Sequence, residues 1–316
     1  MMFSLLSVLL LVMQSALYSS QQFSQLTPNV LVVEKELQNS AEVPLLCGEA
    51  YEGKDISWRR EGTTLPKRGN RITVTVLEMM GGNYTCHDSA GTVLSHQLVL
   101  VQMKGGQEQR RILGKMKDTD HIKCLSRNYS GIFRCSWQWS PNRHGSVVHV
   151  SAKRSSGTGN ITCSVDEDGL GITCIDQFQC TYAEEQNDIN LAVHVRHLYR
   201  LEEYRIKFSI AQIVKPDKVT IVPASDSTFD LQYPKTWSEP DSYFPLTFHF
   251  KVMNRKKSKD CDYKSDRVQE NFTRNQTITV QNRREFRLCV RARDDLCSSS
   301  WSEWSQYERK SEENKN

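Results

Sequence analysis

Two tryptophans stand three residues apart in Trp301-Ser302-Glu303-Trp304-Ser305, inside a polar, serine-rich segment. Just upstream, Phe286, Leu288, Val290 and Ala292 alternate with Arg287, Cys289, Arg291 and Arg293. A period of two is that of a strand with one apolar face, and it puts Arg291 and Arg293 together on the other. A hairpin return would bring Trp301 and Trp304 back alongside them. The chemistry open to this set is non-covalent. Guanidinium planes stack between indole faces, which favours Arg over Lys. Covalent chemistry has little to work with: there is no Gly-x-Ser-x-Gly, no His-Glu-x-x-His and no Gly-rich phosphate loop, and the eight histidines are scattered. No catalytic residue, cofactor or metal site is expected, and the chain reads as a binding protein.

The elements that must hold these side chains belong to an exported protein. Residues 1–20 read as a secretory signal: Leu5–Met13 is apolar but too short to span a bilayer, and small residues follow at Ser15-Ala16 and Ser19-Ser20. Ten cysteines without Cys-x-x-Cys pairs or zinc spacing read as disulfides. Five Asn-x-Ser/Thr sequons begin at Asn83, Asn128, Asn160, Asn271 and Asn275. Glycans are expected at Asn128, Asn160, Asn271 and Asn275; Asn83 sits on what reads as a buried corner and is expected to stay bare. Only polar and charged residues, Gln306–Asn316, follow the tryptophans, with 311–316 as a tail. A membrane span needs about 20 apolar residues, so none is expected. The formal charge of +4 is spread among acids, which argues against a nucleic-acid partner.

Residues 21–103 show short strands at regular spacing, among them Val43–Cys47 and Arg71–Leu77. Cys47, Trp58 and Cys86 fit the immunoglobulin pattern of an inter-sheet bridge with a tryptophan packed on it, and Tyr84 fits its tyrosine corner. All three side-chain types are read here as core. Residues 104–213 open with a polar connector, Gly105–Lys117. Cys124 and Cys135 flank a Tyr-Ser-Gly turn, a geometry suited to a bridge, and Cys163 and Cys174 flank a Gly/Asp-rich turn and are also paired. Residues 214–310 begin at the linker Lys215-Pro216-Asp217 and form a further sandwich ending in the Trp hairpin.

The last domain carries Cys261, Cys289 and Cys297. Cys289 lies early in its strand, near the end from which the loop carrying Cys261 departs, while Cys297 lies past the other end. Five strand residues cover roughly 17 Å, and a disulfide needs Cα atoms within about 7 Å. Cys261–Cys289 is therefore the expected bridge. Cys180 and Cys297 remain, open to each other or to another chain. The loop Arg255-Lys256-Lys257-Ser258-Lys259 is either a plain solvated loop or, through Arg255, Lys256, Lys257 and Lys259, a heparan-sulfate site.

The motif Trp301-Ser-Glu-Trp-Ser305 resembles the WSXWS signature of class I cytokine receptors, and Cys124…Cys135-Ser-Trp137 is similar to the start of their homology module. The fold this implies is all-β: three β-sandwich domains in a row, immunoglobulin-like and then two fibronectin-III-like. The absence of an anchor, with Tyr84-Thr-Cys-His87, Val93-Leu-Ser-His96, Asn128-Tyr-Ser-Gly131, Asp241-Ser-Tyr-Phe-Pro-Leu-Thr-Phe248 and Ser298-Ser-Ser-Trp-Ser-Glu-Trp304, resembles the interleukin-12 beta-subunit family. The soluble alpha-receptor of ciliary neurotrophic factor and the beta subunit of interleukin-27 resemble it less. The family resemblance implies a four-helix-bundle alpha subunit held at the elbow of the last two domains. Tyr129, Tyr243 and Asp294 would form a socket for an arginine of that partner, and Cys180 would make the disulfide to it. It further implies an interleukin-12 receptor beta-1-like chain on the first domain and mannose on Trp301. The cysteines of the last domain depart from the family pattern, which leaves Cys297 open to a second covalent link. Judged alone, Tyr129 and Tyr243 read equally as turn packing and Asp294 as a solvated acid.

Two other arrangements would use the same surface. A soluble receptor would capture a helical cytokine outside the cell, and a homodimer would form through Cys180. An adhesion molecule would normally carry an anchor.

Overall fold

The computed structural model describes residues 23–35, 40–77, 80–103, 111–117, 120–157, 160–178, 187–238, 244–254, 260–263, 269–281, 285–297 and 299–310. The chain is all-β, with its sheets stacked into sandwiches around separate cores. It divides into two compact units. The first holds the described residues up to Gly114, with Trp139–His149 and Val193–Glu203; the second holds Lys115–Gln138, Val150–Ala192 and the described residues from Tyr204 onward.

In the first unit, strands Ala41–Leu46 and Arg71–Val76 pair antiparallel, and every second side chain is buried. This is the alternation that a sheet with one wet face imposes. Their inward residues, Val43, Leu45, Val74 and Val76, close over Trp58, Tyr84 and the Cys47–Cys86 disulfide. Full burial of each aliphatic side chain contributes about 1.5–3 kcal/mol. The Trp58 Nε1–H donates to the Gly69 carbonyl at 2.9 Å, so its one polar atom is satisfied inside the core. The facing sheet is built on Val93–Met103, antiparallel to Gly82–His87 and parallel to Val30–Lys35. Strand Thr63–Arg68 tolerates Pro66 because it lies at the sheet edge, where no ladder needs that N–H. Gly81 is fixed by close approach: a Cβ there would lie 2.2 Å from the Val99 carbonyl oxygen and 2.6 Å from Tyr199 Cβ.

In the second unit, Ile161–Val165, Gly171–Asp176, Ile132–Trp137 and Ile122–Leu125 form an antiparallel sheet in that order. Cys135 faces Cys124 and Cys174 faces Cys163 across the ladders, and both pairs are joined. The turn between Ile122–Leu125 and Ile132–Trp137 ends at Gly131, whose φ of 84° is left-handed and costs a side-chain-bearing residue strain.

A second sandwich in this unit stacks Thr220–Pro223, Thr228–Gln232 and Thr277–Thr279 on the sheet Gln269–Thr273, Leu246–Met253, Phe286–Asp294, Ser305–Arg309. Inward residues Phe248, Val252, Leu288, Val290 and Ala292 meet Phe229, Leu231 and Trp237 in one core. The register sets His249 opposite Arg291 and Lys251 opposite Cys289, all on the outer face. Cys261 is bonded to Cys289 with Cα atoms 5.8 Å apart.

Candidate partner-binding site

The outer face of this last sheet carries the cation and aromatic residues. Strand Ser305–Arg309 returns beside Phe286–Asp294, with Ser305 opposite Val290. Ahead of it, Ser302 pairs with Ala292 twice: its N–H donates to the Ala292 carbonyl at 2.7 Å, and its Oγ accepts the Ala292 N–H at 2.9 Å. Ser305 Oγ donates to the Val219 carbonyl. The serines thus pin the segment and leave both indoles facing the strand's cations. Arg291 lies over Trp304 at 4.4 Å and Trp301 at 5.0 Å; Arg293 lies over Trp301 at 4.6 Å. Lys251 extends the stack at 5.0 Å over Trp304, whose Nε1–H donates to Asp262 at 3.0 Å.

His249 underlies this ladder. Its Nδ1 accepts the Arg291 Nε–H at 3.0 Å, and its ring stacks on Phe272 with centroids 4.4 Å apart. Its Nε2 lies 2.5 Å from Glu270 Oε1, a close polar contact off the ideal hydrogen-bond angle. Burial, then the Arg291 guanidinium, hold the imidazole below its ordinary pKa, so the neutral ring is favoured. Burial also lowers the Arg291 pKa, opposed by Asp262 and Glu270.

At the end of the same strand Asp294 turns inward and is fully buried. Tyr129, also buried, donates its hydroxyl to Asp294 Oδ2 at 2.5 Å. Asp294 Oδ1 accepts the N–H of Leu296 at 2.7 Å and of Cys297 at 3.2 Å. Trp237 and Phe244 meet the Tyr129 ring edge-on, at 6.0 and 5.3 Å. Burial, and then the hydrogen bond to the Asp294 carboxylate, push the Tyr129 phenol far above its ordinary pKa, so it stays a donor. Three backbone bonds hold the surrounding loops: Ser126 N–H to Ile213, Lys215 N–H to Ser126 and Ser300 N–H to Val214. The structure therefore brings Tyr129 and Asp294 together, with the phenol occupying the carboxylate. A cation reaching Asp294 must displace that hydroxyl.

Two hollows adjoin this pair. One, of about 930 Å³, is lined by Arg127, Asn128, Ser130, Lys215, Thr236 and Glu303 among others; the second, of about 300 Å³, is lined by Ala211, Gln212, Cys297, Ser299 and Ser300. Cys297 is half-buried with a free thiol. Tyr243, Cys180 and the basic residues Arg255, Lys256, Lys257 and Lys259 lie outside the described residues.

Asn160, Asn271 and Asn275 are exposed. Asn128 differs from these three in its burial. It is 9% exposed, its Nδ2 donates to the Thr236 carbonyl, and its Oδ1 accepts the Ser130 N–H at 3.0 Å. A sequon marks the residue types an oligosaccharide needs and says nothing of whether the amide is already in use.

Sequence reasoning missed His249, Lys251, Phe272, Glu270 and Asp262 around the ladder. His249 and Lys251 had a usable signal: the period-two pattern of Leu246–Met253 sets both on the face opposite Phe248 and Phe250. Asp262 and Glu270 come from segments with no such pattern.

A family model described as cytokine interleukin-12p40 C-terminus matches residues 119–197. Curated relatives are similar along nearly the whole length. The interleukin-12 subunit beta of Homo sapiens is 32% identical over 307 residues, covering 89% of this chain and 91% of that protein. That of Felis catus is 30% identical over 308 residues and that of Mesocricetus auratus 29% over 306, each covering 89% of this chain and 91% of the relative.

Proposed function

The chain belongs to the interleukin-12 beta-subunit family and is a cytokine subunit, not an enzyme; on that premise we propose that it is exported and binds a four-helix-bundle alpha subunit through the Tyr129–Asp294 socket. The heterodimer is of the interleukin-12/interleukin-23 type. The observation that carries this reading is the buried carboxylate of Asp294, which accepts the hydroxyl of a Tyr129 packed on Trp237 and Phe244 and is neutralised by no cation among the described residues. An arginine of the partner displaces the phenol and pairs with the carboxylate, a charge-assisted bond in a dry, aromatic setting. Tyr243, adjacent in sequence to Phe244, belongs to the same socket.

In this reading residues 21–103, 104–213 and 214–310 are the three domains behind a signal at 1–20. The first meets an interleukin-12 receptor beta-1-like chain. Cys180 links the alpha subunit, or a second copy in a homodimer. Trp301 carries mannose, and the loop 255–259 holds heparan sulfate. Export is supported by the apolar run Leu5–Met13 and by exposed sequons. Among the described residues no helix is long and apolar enough to cross a membrane.

Co-expression with a helical alpha subunit tests this. Non-reducing gels of the medium should show a covalent heterodimer that Cys180→Ser abolishes while affinity capture persists. A chain released alone, which takes up a helical cytokine only after mixing outside the cell, would instead be a soluble receptor.

A further inference from the structure

Building on the export reading, we infer that Asn83 carries an N-linked glycan and that Asn128 carries none, the reverse of what their sequence settings imply. In strand Gly82–His87, Tyr84 and Cys86 point into the core while Asn83 points out and is exposed. Its backbone is pinned on both sides. The N–H donates to Glu61 Oε1 at 2.5 Å, and the carbonyl accepts the Glu61 N–H at 3.0 Å. Its side-chain amide has no hydrogen-bond partner among the described residues. The sequon Asn83-Tyr84-Thr85 therefore presents a free amide on a rigid strand, with nothing to displace.

The surface beside it gives the sugar a physical role. Leu98 faces Asn83 across the ladder and is only half-buried. With Val30 and Tyr199 it forms the partly covered rim of an outer apolar cluster built on Val32, Leu100 and Leu201. A bulky hydrophilic chain anchored at Asn83 screens that rim from water and from other proteins. It follows that a receptor chain docking on the first unit uses another surface, such as the Ala41–Leu46/Arg71–Val76 sheet. At Asn128 the opposite holds: the amide is buried and bonded to Thr236, and a sugar would have to part the two loops it joins.

The test is peptide mapping of the secreted, full-length chain after enzymatic glycan removal in heavy-oxygen water, which labels each formerly glycosylated asparagine. The inference predicts label at Asn83 and none at Asn128. It predicts also that Asn83→Gln raises electrophoretic mobility and that Asn128→Gln leaves it unchanged. Label at Asn160, Asn271 or Asn275 with Asn83 bare, or label at Asn128, would overturn the inference and leave export standing. Label at none of the sequons, with the chain retained in the cell, would overturn both.

Discussion

Replacing Arg291 with alanine should unseat the Trp/Arg ladder, and the cost follows from its contacts. The guanidinium lies 4.4 Å from one indole and 5.0 Å from the other, half-buried. Each such contact contributes about 0.5–1 kcal/mol, more when desolvated. The Nε–H also satisfies His249 Nδ1 at 3.0 Å, a bond with a net value of about 0.5–1.5 kcal/mol. The expected loss is roughly 2–3 kcal/mol. With a urea slope of about 1–3 kcal/mol/M, the midpoint of the tryptophan-reported transition should fall by about 1 M at unchanged slope. The disulfide-intact chain should be used, because reduction would blur the transition. Arg291→Lys keeps the charge but loses the Nε–H and the planar stack, so it should recover less than half of the loss. Arg293→Ala, which touches one indole at 4.6 Å, should cost about half as much. If Arg291→Ala left the midpoint in place, or Arg291→Lys matched the parent, the stacked cation would not be what holds the hairpin.

Three further outcomes are expected. His249 is held below its ordinary pKa of 6.5 by burial and Arg291, so on acidification the unfolded chain takes up the proton first. Stability should therefore fall as pH drops below about 6.5, and His249→Gln should flatten that slope; a stability that rose on acidification would contradict it. Glu270 is also held low, with Lys251 and His249 opposing its burial, so it adds to the loss at lower pH, as a depressed carboxylate must. Cys261→Ser with Cys289→Ser opens a loop of 28 residues and should cost about 2–4 kcal/mol in chemical denaturation; non-reducing peptide maps linking Cys289 to Cys297 instead would contradict the pairing. Gly81→Ala drives a Cβ into the Val99 carbonyl and Tyr199 and should cost about 1–3 kcal/mol, read as a lower melting temperature; an unchanged melt would show that the strands can part freely there.

What could be read from the chain was whatever repeats locally. The alternation of Phe286 to Ala292 shows its inward and outward faces without any partner in view. Cysteines on adjacent strands, such as Cys124 and Cys135, pair because a short turn sets their register. The Cys261–Cys289 expectation used only strand length and direction, and the two are joined. Contacts fixed by register between distant strands were not visible. Lys251 and His249 join the ladder because Leu246–Met253 runs beside Phe286–Asp294 in one register, and one residue of slip would turn both inward. The Tyr129–Asp294 bond spans 165 residues of chain, and its occupied state cannot be inferred from either residue type. The exposure of Asn83 and the burial of Asn128 were not visible for the same reason. A sequon is a local pattern, whereas burial belongs to the assembled fold.

Capture of the helical alpha subunit by Asp294→Ala tests the central claim most directly. The measurement belongs in a Cys180→Ser background, so that affinity is not masked by a covalent link. Loss of a buried charge partner costs about 2–5 kcal/mol, so the dissociation constant should rise at least tenfold. Asp294→Ala on a correctly folded, secreted chain with parental affinity for the alpha subunit would contradict the account.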